Sequence, residues 1–247
     1  MSRPTFPGGV STTLLSVYDW PAPDGVGAAG SGSPHLHTVA SEGYVVLGGR
    51  GSVHTVTPAG TEVYELRRGI AVWFSPGTVH RAVNDGDLQV LVVMSDAGLP
   101  EAGDAVLTFP RDVLADPERY RAAATLPDGG DARVALAARR RRDLAVEGMA
   151  ELLEEVGRLG APEAMARLHE AAVGLVLASV PGWRRSWKAT VRPAVEMTDS
   201  ALTGLARGDA THLAGAAVAS ADAWSGAPRY GMCGRLRPWP PEGTGQE

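Results

Sequence analysis

Residues 35–109 consist of short β-type runs separated by glycine and proline turns. The runs are Gly43–Leu47, Gly51–Val56, Glu62–Leu66, Ile70–Phe74, His80–Val83 and Leu88–Met94. Many short strands at nearly regular spacing are typical of a β-sandwich or a β-barrel. One earlier strand candidate, Thr13–Trp20, leads into a loop rich in Gly, Ser and Pro.

The pattern becomes helical after Pro110. A short helix is predicted first, a long helix ending at Gly160 follows, and Pro162 suits the first turn of the next helix. The predicted helices are Arg111–Ala124, Asp131–Leu159, Pro162 to about Val180, Trp183–Ala206 with a kink at Pro193, and Asp209 to about Trp224.

These patterns predict an α+β chain, a β-sandwich or barrel followed by an all-α region. We divide it into a barrel at residues 1–110, a short helix with a linker at 111–130, a region of three or four helices at 131–225, and an irregular tail at 226–247.

Three histidines and a glutamate in the β half have spacings that suit a metal site. His35 and His37 are two residues apart, so a strand would present both imidazoles on the same side. Glu42 follows after a short turn, and His80 can supply a third imidazole from across the barrel. Such a nitrogen and oxygen donor set suits one divalent ion of Fe, Mn, Ni, Co or Zn, and the sequence does not choose between them. Imidazoles must be neutral to bind, so we expect metal to be lost as pH falls.

Two segments of the chain resemble the two characteristic motifs of the cupin superfamily. The first is His-x-His, four residues, Glu42, six residues, Gly49; the second is Gly69, five residues, Ser75-Pro76-Gly77, two residues, His80, three residues, Asn84. Ser75 departs from the usual proline at a position that shapes a turn. The resemblance implies a jelly-roll barrel of the conserved Cupin_2 type, with a metal at His35, His37, Glu42 and His80. The wider sequence is more weakly similar to the sugar-phosphate-isomerase-like branch.

Several other residues of the barrel half are secondary candidates. Tyr44 shares the face of Glu42 by alternation, so it is either a pocket residue with a catalytic role or a core aromatic. Either Trp73 or Phe74 must line the interior, depending on register. Asn84 is expected to bond a loop and His54 to pack in the core or on the surface. Arg50 and Arg81 are expected to be solvated turn residues rather than anion ligands.

The helical half offers weaker candidates for chemistry. Arg139–Arg142 is interpreted as a helix surface that forms ion pairs with Asp143 and Glu147. Trp183 and Trp187 lie one turn apart and are expected to pack the helix onto the barrel. His169 and His212 are not expected to be ligands. Cys233 is read as a structural or incidental thiol because it has no partner motif.

Composition excludes some classes of function. The net charge is −5, and residues 1–110 carry 5 basic and 10 acidic side chains, so we expect no nucleic-acid partner. The basic residues are 22 Arg and one Lys, a bias typical of high-GC bacterial coding. No apolar run is long enough for a membrane span and no signal-peptide core is visible, so a cytoplasmic protein without a membrane partner is expected.

Two functions remain open on the sequence. The first is a metal-dependent enzyme that acts on a small polar metabolite, by isomerisation or epimerisation of a sugar-like or enolisable substrate or by O₂-dependent oxidation. The second is a non-catalytic sensor or binding protein for a small molecule, with the helical half as a dimerisation module. The resemblance also implies a homodimer, because barrels of this family commonly dimerise.

Overall fold

The computed structural model describes residues 6–223, 226–227 and 229–239. Ten strands in these residues form one connected sheet. They are β1 (Ser11–Val17), β2 (Gly30–Ser31), β3 (His35–His37), β4 (Glu42–Thr57), β5 (Gly60–Arg67), β6 (Ala71–Phe74), β7 (Val79–Met94), β8 (Ala105–Leu107), β9 (Arg229–Tyr230) and β10 (Gly234–Pro238). The chain is therefore α+β with its large antiparallel sheet in the N-terminal half, as the sequence predicts.

Two long antiparallel strands, β4 and β7, organise the barrel. β7 pairs with β4 along most of its length, with β2 and β3 near its start, and with β1 near its end. The first half of β4 alternates as expected for a strand with one inner face: Glu42, Tyr44 and Val46 are buried, whereas Val45 and Leu47 are exposed. Apolar side chains from β1, β4, β5, β6 and β7 fill the interior.

β4 covers two of the predicted strands because the chain bulges rather than turns between them. The register of β4 against β7 shifts three times between Val46 and Gly51. Gly49 lies in this bulge with φ +72°, and a Cβ there would lie 2.1 Å from the Asp87 carbonyl oxygen. The glycine of the first motif therefore permits a close approach of two backbones.

Six α-helices follow the barrel in the described part of the chain: α1 (Arg111–Leu114), α2 (Pro117–Ala124), α3 (Asp131–Leu159), α4 (Ala161–Val176), α5 (Val180–Thr190) and α6 (Arg192–Leu205). Apolar side chains of α3 and α4, such as Met149 and Met165, share one core with Leu36 and Val79 on the outside of the barrel. α3 packs so closely that a Cβ at Gly148 would lie 2.1 Å from the Thr108 carbonyl oxygen. The helical half is thus built directly onto the sheet.

The helix predictions hold in part. α3 has the predicted bounds, and the segment expected to kink at Pro193 is divided into α5 and α6 near that residue. The last predicted helix, from Asp209, is wrong: residues 211–215 form a 3₁₀ turn, residues 216–223 have no regular structure, and Trp224 lies outside the described residues. No helix among the described residues is long and apolar enough to cross a membrane.

The C-terminal segment differs from the irregular tail that the sequence predicts. β10 pairs antiparallel with β1, from Thr13 opposite Pro238 to Val17 opposite Gly234, and β9 pairs with β10. The Gly32 amide donates to the Ala82 carbonyl and the Ser33 amide to that of Met232. The chain therefore returns to the barrel at its C-terminal end and places Cys233 in the barrel interior.

The arginine run is also different from its predicted surface role. Arg141 and Arg142 are buried, whereas Arg139 and Arg140 are exposed. Arg142 does pair with Asp143, at 2.7 Å, but its guanidinium also donates to three backbone carbonyls of the N-terminal loop. Two arginines of the run are therefore solvent-exposed and two are buried, because helical spacing turns two of the four side chains toward the barrel.

Candidate metal centre

The structure brings together the four residues that the motif spacing selects. His35 and His37 lie on the three-residue strand β3, Glu42 begins β4, and His80 is the second residue of β7. His35 is directly opposite His80 in the β3–β7 register. One ligand atom of each of the four lies within 4.8 Å of those of the others. All four side chains are buried, so local strand geometry and barrel closure together build one compact cluster.

Glu42 lies between two of the imidazoles. Its Oε2 atom is 2.8 Å from Nε2 of His80 and 3.3 Å from Nε2 of His37. Despite these distances, Glu42 Oε2 and His80 Nε2 have no hydrogen-bond partner of acceptable geometry among the described atoms. Buried polar atoms without partners are costly, and a cation placed between them would satisfy both.

The Nδ1 atom of each histidine has a partner that turns Nε2 toward the cluster. Nδ1 of His35 lies 2.9 Å from the Ser33 carbonyl, and Nδ1 of His80 lies 3.1 Å from the Thr78 carbonyl. Nδ1 of His37 lies 2.7 Å from a carboxylate oxygen of Asp104. With Nδ1–H donating to these oxygens, Nε2 of each ring is the atom that would bind a metal in place of a proton, which is the arrangement that metal-binding histidines require.

Asp104 is a functional residue that the sequence reasoning missed. It is fully buried just before β8, and its second oxygen accepts from the Ala40 amide at 2.8 Å. It therefore fixes both the His37 ring and the turn between His37 and Glu42. The available signal was an aspartate directly before the apolar run Ala105–Leu107, although nothing in that pattern points to His37.

The electrostatics of the cluster favour a cation. Burial would raise the pKa of Glu42, but the neighbouring His80 and His37 hold it well below its usual range. Burial would lower the pKa of His37, but hydrogen bonds to Asp104 and Glu42 raise it to about 10. Burial, with His80 and His37 nearby, lowers the pKa of His35 well below its usual value. Two carboxylates thus create a negative potential that suits a divalent ion, while His35 stays neutral.

The residues present therefore fit the divalent metal that the motifs imply. Three inward-facing imidazole nitrogens and one carboxylate form a donor set for a first-row transition metal. Two buried atoms without hydrogen-bond partners, Glu42 Oε2 and His80 Nε2, lie among these donors. The identity of the ion is not determined by the donor set.

The inner wall beside the cluster is aromatic and contains a thiol. Phe74 stacks on His80 with ring centroids 4.5 Å apart and nearly parallel planes, and Tyr44 meets Phe74 edge-on at 5.3 Å. Tyr44 Oη is 3.3 Å from Cys233 Sγ, which lies 3.9 Å from Nδ1 of His35. Of the two alternatives in β6, Phe74 lines the interior and Trp73 faces outward.

Tyr44 and Cys233 are both protonated at neutral pH. Burial raises the pKa of Tyr44 well above its usual value, and Cys233 and Glu42 add to the effect. Burial, together with the negative charge of Glu42, raises the pKa of Cys233 to about 12. Tyr44 is thus buried beside the cluster and can offer a hydrogen bond. Neither group is a ready base.

Residues 26–95 match the family model described as "Cupin domain". This segment is a cupin domain. The match includes both motif segments and all four members of the cluster, and it ends one residue beyond β7. No curated protein matches the chain.

Solved structures that are similar to the chain include other cupin proteins. A Cupin 2 conserved barrel domain protein from Salinispora arenicola is 20% identical over 41% of this chain and 75% of its own, with a TM-score of 0.28. A putative sugar phosphate isomerase from Acidithiobacillus ferrooxidans is 20% identical over 34% of this chain and 47% of its own, at TM-score 0.26. Vicilin from Corylus avellana is 22% identical over 27% of this chain and 21% of its own, with a TM-score of 0.26. The chain spans about a fifth of that vicilin.

The remaining barrel candidates lie outside the cluster. The sequence predicts that Asn84 bonds a loop; its side chain instead donates to the Val17 carbonyl at the end of β1 and accepts from the Gly86 and Leu88 amides within β7. His54 is half-buried on β4, away from the four ligands. Arg50 is exposed. The expectation that Arg81 is solvated is wrong, because it is buried and pairs with Asp24 at 2.5 Å and with Ser31.

Two histidines and two tryptophans of the helical half lie outside the cluster. Neither His169 nor His212 belongs to the ligand cluster. Trp183 is buried and donates to the Ala102 carbonyl at 3.1 Å, and Trp187 donates to Asp96 at 3.1 Å. Both indoles therefore fasten α5 to the loop that follows β7.

Proposed function

We propose that the chain is a metal-dependent cupin enzyme that acts on a small polar metabolite. The observation that carries the proposal is the convergence of Glu42 Oε2 and His80 Nε2, buried and without hydrogen-bond partners, beside two further inward-facing imidazoles. A bound divalent ion would polarise a substrate oxygen and, if redox-active, would also support dioxygen chemistry. The surrounding residues hold the donors in place and keep the site apolar.

Between the two reactions, O₂-dependent oxidation is supported better than isomerisation. Isomerisation or epimerisation of an enolisable substrate requires a base that removes a proton from carbon. Among the described residues, the titratable groups beside the quartet are Tyr44 and Cys233, whose pKa values are raised by burial, and Asp104, which is engaged by His37 and backbone amides. Oxidation places less demand on a protein base.

A phosphorylated substrate fits the site poorly. Arg81 follows His80 directly, so strand alternation turns it to the opposite side of β7 from the ligands. Its guanidinium is already paired with Asp24, and the barrel half carries an excess of acidic residues. We therefore favour a substrate without a phosphate group.

Two measurements test this function. Elemental analysis of the purified chain should give about one divalent transition-metal ion per chain, and a chain free of metal would refute the proposal. Candidate substrates are then incubated with and without oxygen. Turnover that requires O₂ supports the oxidation, whereas turnover in its absence would establish the isomerase instead.

A non-catalytic binding or sensor protein is the second candidate. The observation that favours it is the burial of all four ligand side chains against Tyr44, Phe74 and Cys233, which leaves little of the donor atoms open to solvent. Saturable binding of a metabolite without turnover, in the presence or absence of O₂, would support this alternative.

We further propose that the chain forms a homodimer through the outer face of its sheet. Trp73 is 79% exposed, and it lies on the same outer face as Val45 and Leu47, which are 38% and 44% exposed. A patch of this kind on a sheet is typical of an interface. Trp73→Glu is expected to halve the mass measured by light scattering, while Val218→Glu, a matched change in the helical half, leaves it unchanged. A monomeric wild-type chain at micromolar concentration would contradict the proposal.

A further inference from the structure

The helical half contacts the two loops that orient the metal-binding imidazoles. One loop, residues 75–78, connects β6 to β7 and ends two residues before His80. The other, residues 95–104, connects β7 to β8 and ends at Asp104. These loops lie at the end of the barrel where Glu42 and His37 are found, because Glu42 is opposite Phe74 and Met94 in the register.

The first loop is tied to both His37 and His80. The Gly77 amide donates to the His37 carbonyl at 2.8 Å, and the Thr78 carbonyl lies 3.1 Å from Nδ1 of His80. Nε2 of His169, on α4, lies 2.8 Å from the Gly77 carbonyl, so its N–H donates there. His169 thus holds a four-residue loop that contacts two of the four ligand residues.

The second loop is tied to His37 through Asp104. Its backbone is closed by the Asp104 amide donating to the Leu99 carbonyl, and the Asp104 carboxylate orients the His37 ring. From α5, the Trp183 indole donates to the Ala102 carbonyl and the Thr190 hydroxyl donates to the Ala97 carbonyl at 2.6 Å. The Trp187 indole also donates to Asp96, so a single helix holds this loop at three points.

We propose that His169 and Trp183 are positioning residues for the metal centre, each fixing one of the loops that orient its imidazoles. This inference rests on the proposed function, because it requires that the quartet binds a metal. It gives the helical half a role in the site itself. The physical reason is that ligands held in their binding geometry before metal arrives lose less conformational entropy on binding and release the ion more slowly.

The inference is tested with Co²⁺ alone as the probe, since its visible spectrum reports the ligand geometry. The wild type, His169→Ala and His169→Gln are loaded with Co²⁺, and release to excess EDTA is followed by stopped-flow absorbance. Mutation of a residue that hydrogen-bonds a metal ligand typically lowers metal affinity by about 10–100-fold. His169 acts on the ligands only through the loop backbone, so we expect a smaller effect: Co²⁺ release from His169→Ala about 3–10-fold faster, with a shifted spectrum. His169→Gln keeps a donor for the Gly77 carbonyl and is expected to restore both.

Controls separate positioning from general destabilisation. Glu170→Ala changes the exposed neighbour on α4 and should leave the release rate and the spectrum unchanged. If His169→Ala does not fold, Trp183→Phe decides, because it keeps an aromatic ring but removes the indole N–H. A wild-type release rate and spectrum in the folded His169→Ala, or failing that in Trp183→Phe, would overturn the inference while the proposed function stands. A wild type that takes up no Co²⁺ would refute the proposed function and the inference with it.

Discussion

His80→Ala is expected to abolish metal binding by the purified chain. The imidazole of His80 is almost fully buried, 1% exposed, and its Nε2 atom lies beside Glu42 Oε2. Its removal leaves three of the four donors, the imidazoles of His35 and His37 and the carboxylate of Glu42. Removal of a residue that only hydrogen-bonds a ligand lowers metal affinity by about 10–100-fold, so removal of a ligand should lower it by at least about 100-fold. Elemental analysis after dialysis should then find less than about a tenth of the wild-type metal content.

His35→Ala is expected to behave in the same way, and a matched control is available in the same sheet. His54→Ala removes a half-buried imidazole that lies outside the cluster, so its metal content should equal that of the wild type. Circular dichroism checks that each variant folds. Unchanged metal content in both His35→Ala and His80→Ala would overturn the assignment of the quartet as the metal site.

The ligand quartet could be predicted because its geometry is mostly local. Alternation along a strand puts His35 and His37 on one side, and a four-residue connection brings Glu42 back beside them. His80 is separated by 38 residues from Glu42, and strand alternation alone would not have paired the two. The contact between Glu42 and His80 was predicted because two segments of the chain resemble the two cupin motifs.

The partners of the quartet could not be predicted in this way. Asp104 contacts His37 across 67 residues of sequence, and Cys233 approaches His35 across 198. Each is placed by strand pairing, β8 with β3 and β10 with β1, and a three-residue or five-residue strand carries too little pattern to reveal its partner. Residues that orient the ligands can therefore be identified only once the strand pairing of the sheet is known.

Helix α3 could likewise be predicted from its own sequence, whereas the C-terminal strand β10 could not. α3 could be bounded to the residue because glycines flank it at both ends and its apolar positions repeat over 29 residues. The strand Gly234–Pro238 has the sequence Gly-Arg-Leu-Arg-Pro, in which two arginines hide a single inward leucine. Its strand conformation comes from pairing with β1 rather than from its own composition.

Arg142→Met is expected to destabilise the fold by about 3 kcal/mol, because it removes a buried charge that donates several hydrogen bonds. The Arg142 side chain is 0% exposed. Its Nη atoms donate to the carbonyls of Trp20, Ser31 and Pro21 at 2.8–2.9 Å. Methionine fills similar space but leaves three carbonyls without donors. Asp143 is 39% exposed and can be solvated instead, so the cost comes mainly from the carbonyls.

The measurement is the free energy of unfolding in urea, with two further variants for comparison. Arg140→Met removes an exposed arginine from the same helix and should change stability by less than about 0.5 kcal/mol. Arg142→Lys keeps the charge but not the planar fork that reaches several carbonyls at once, so it should fall between the two. If Arg142→Met is no less stable than Arg140→Met, the guanidinium does not anchor α3 to the N-terminal loop. A large loss at Arg142 alone would show that one run of four arginines contains both a solvated surface and a fold-defining contact, which charge patterning by itself does not distinguish.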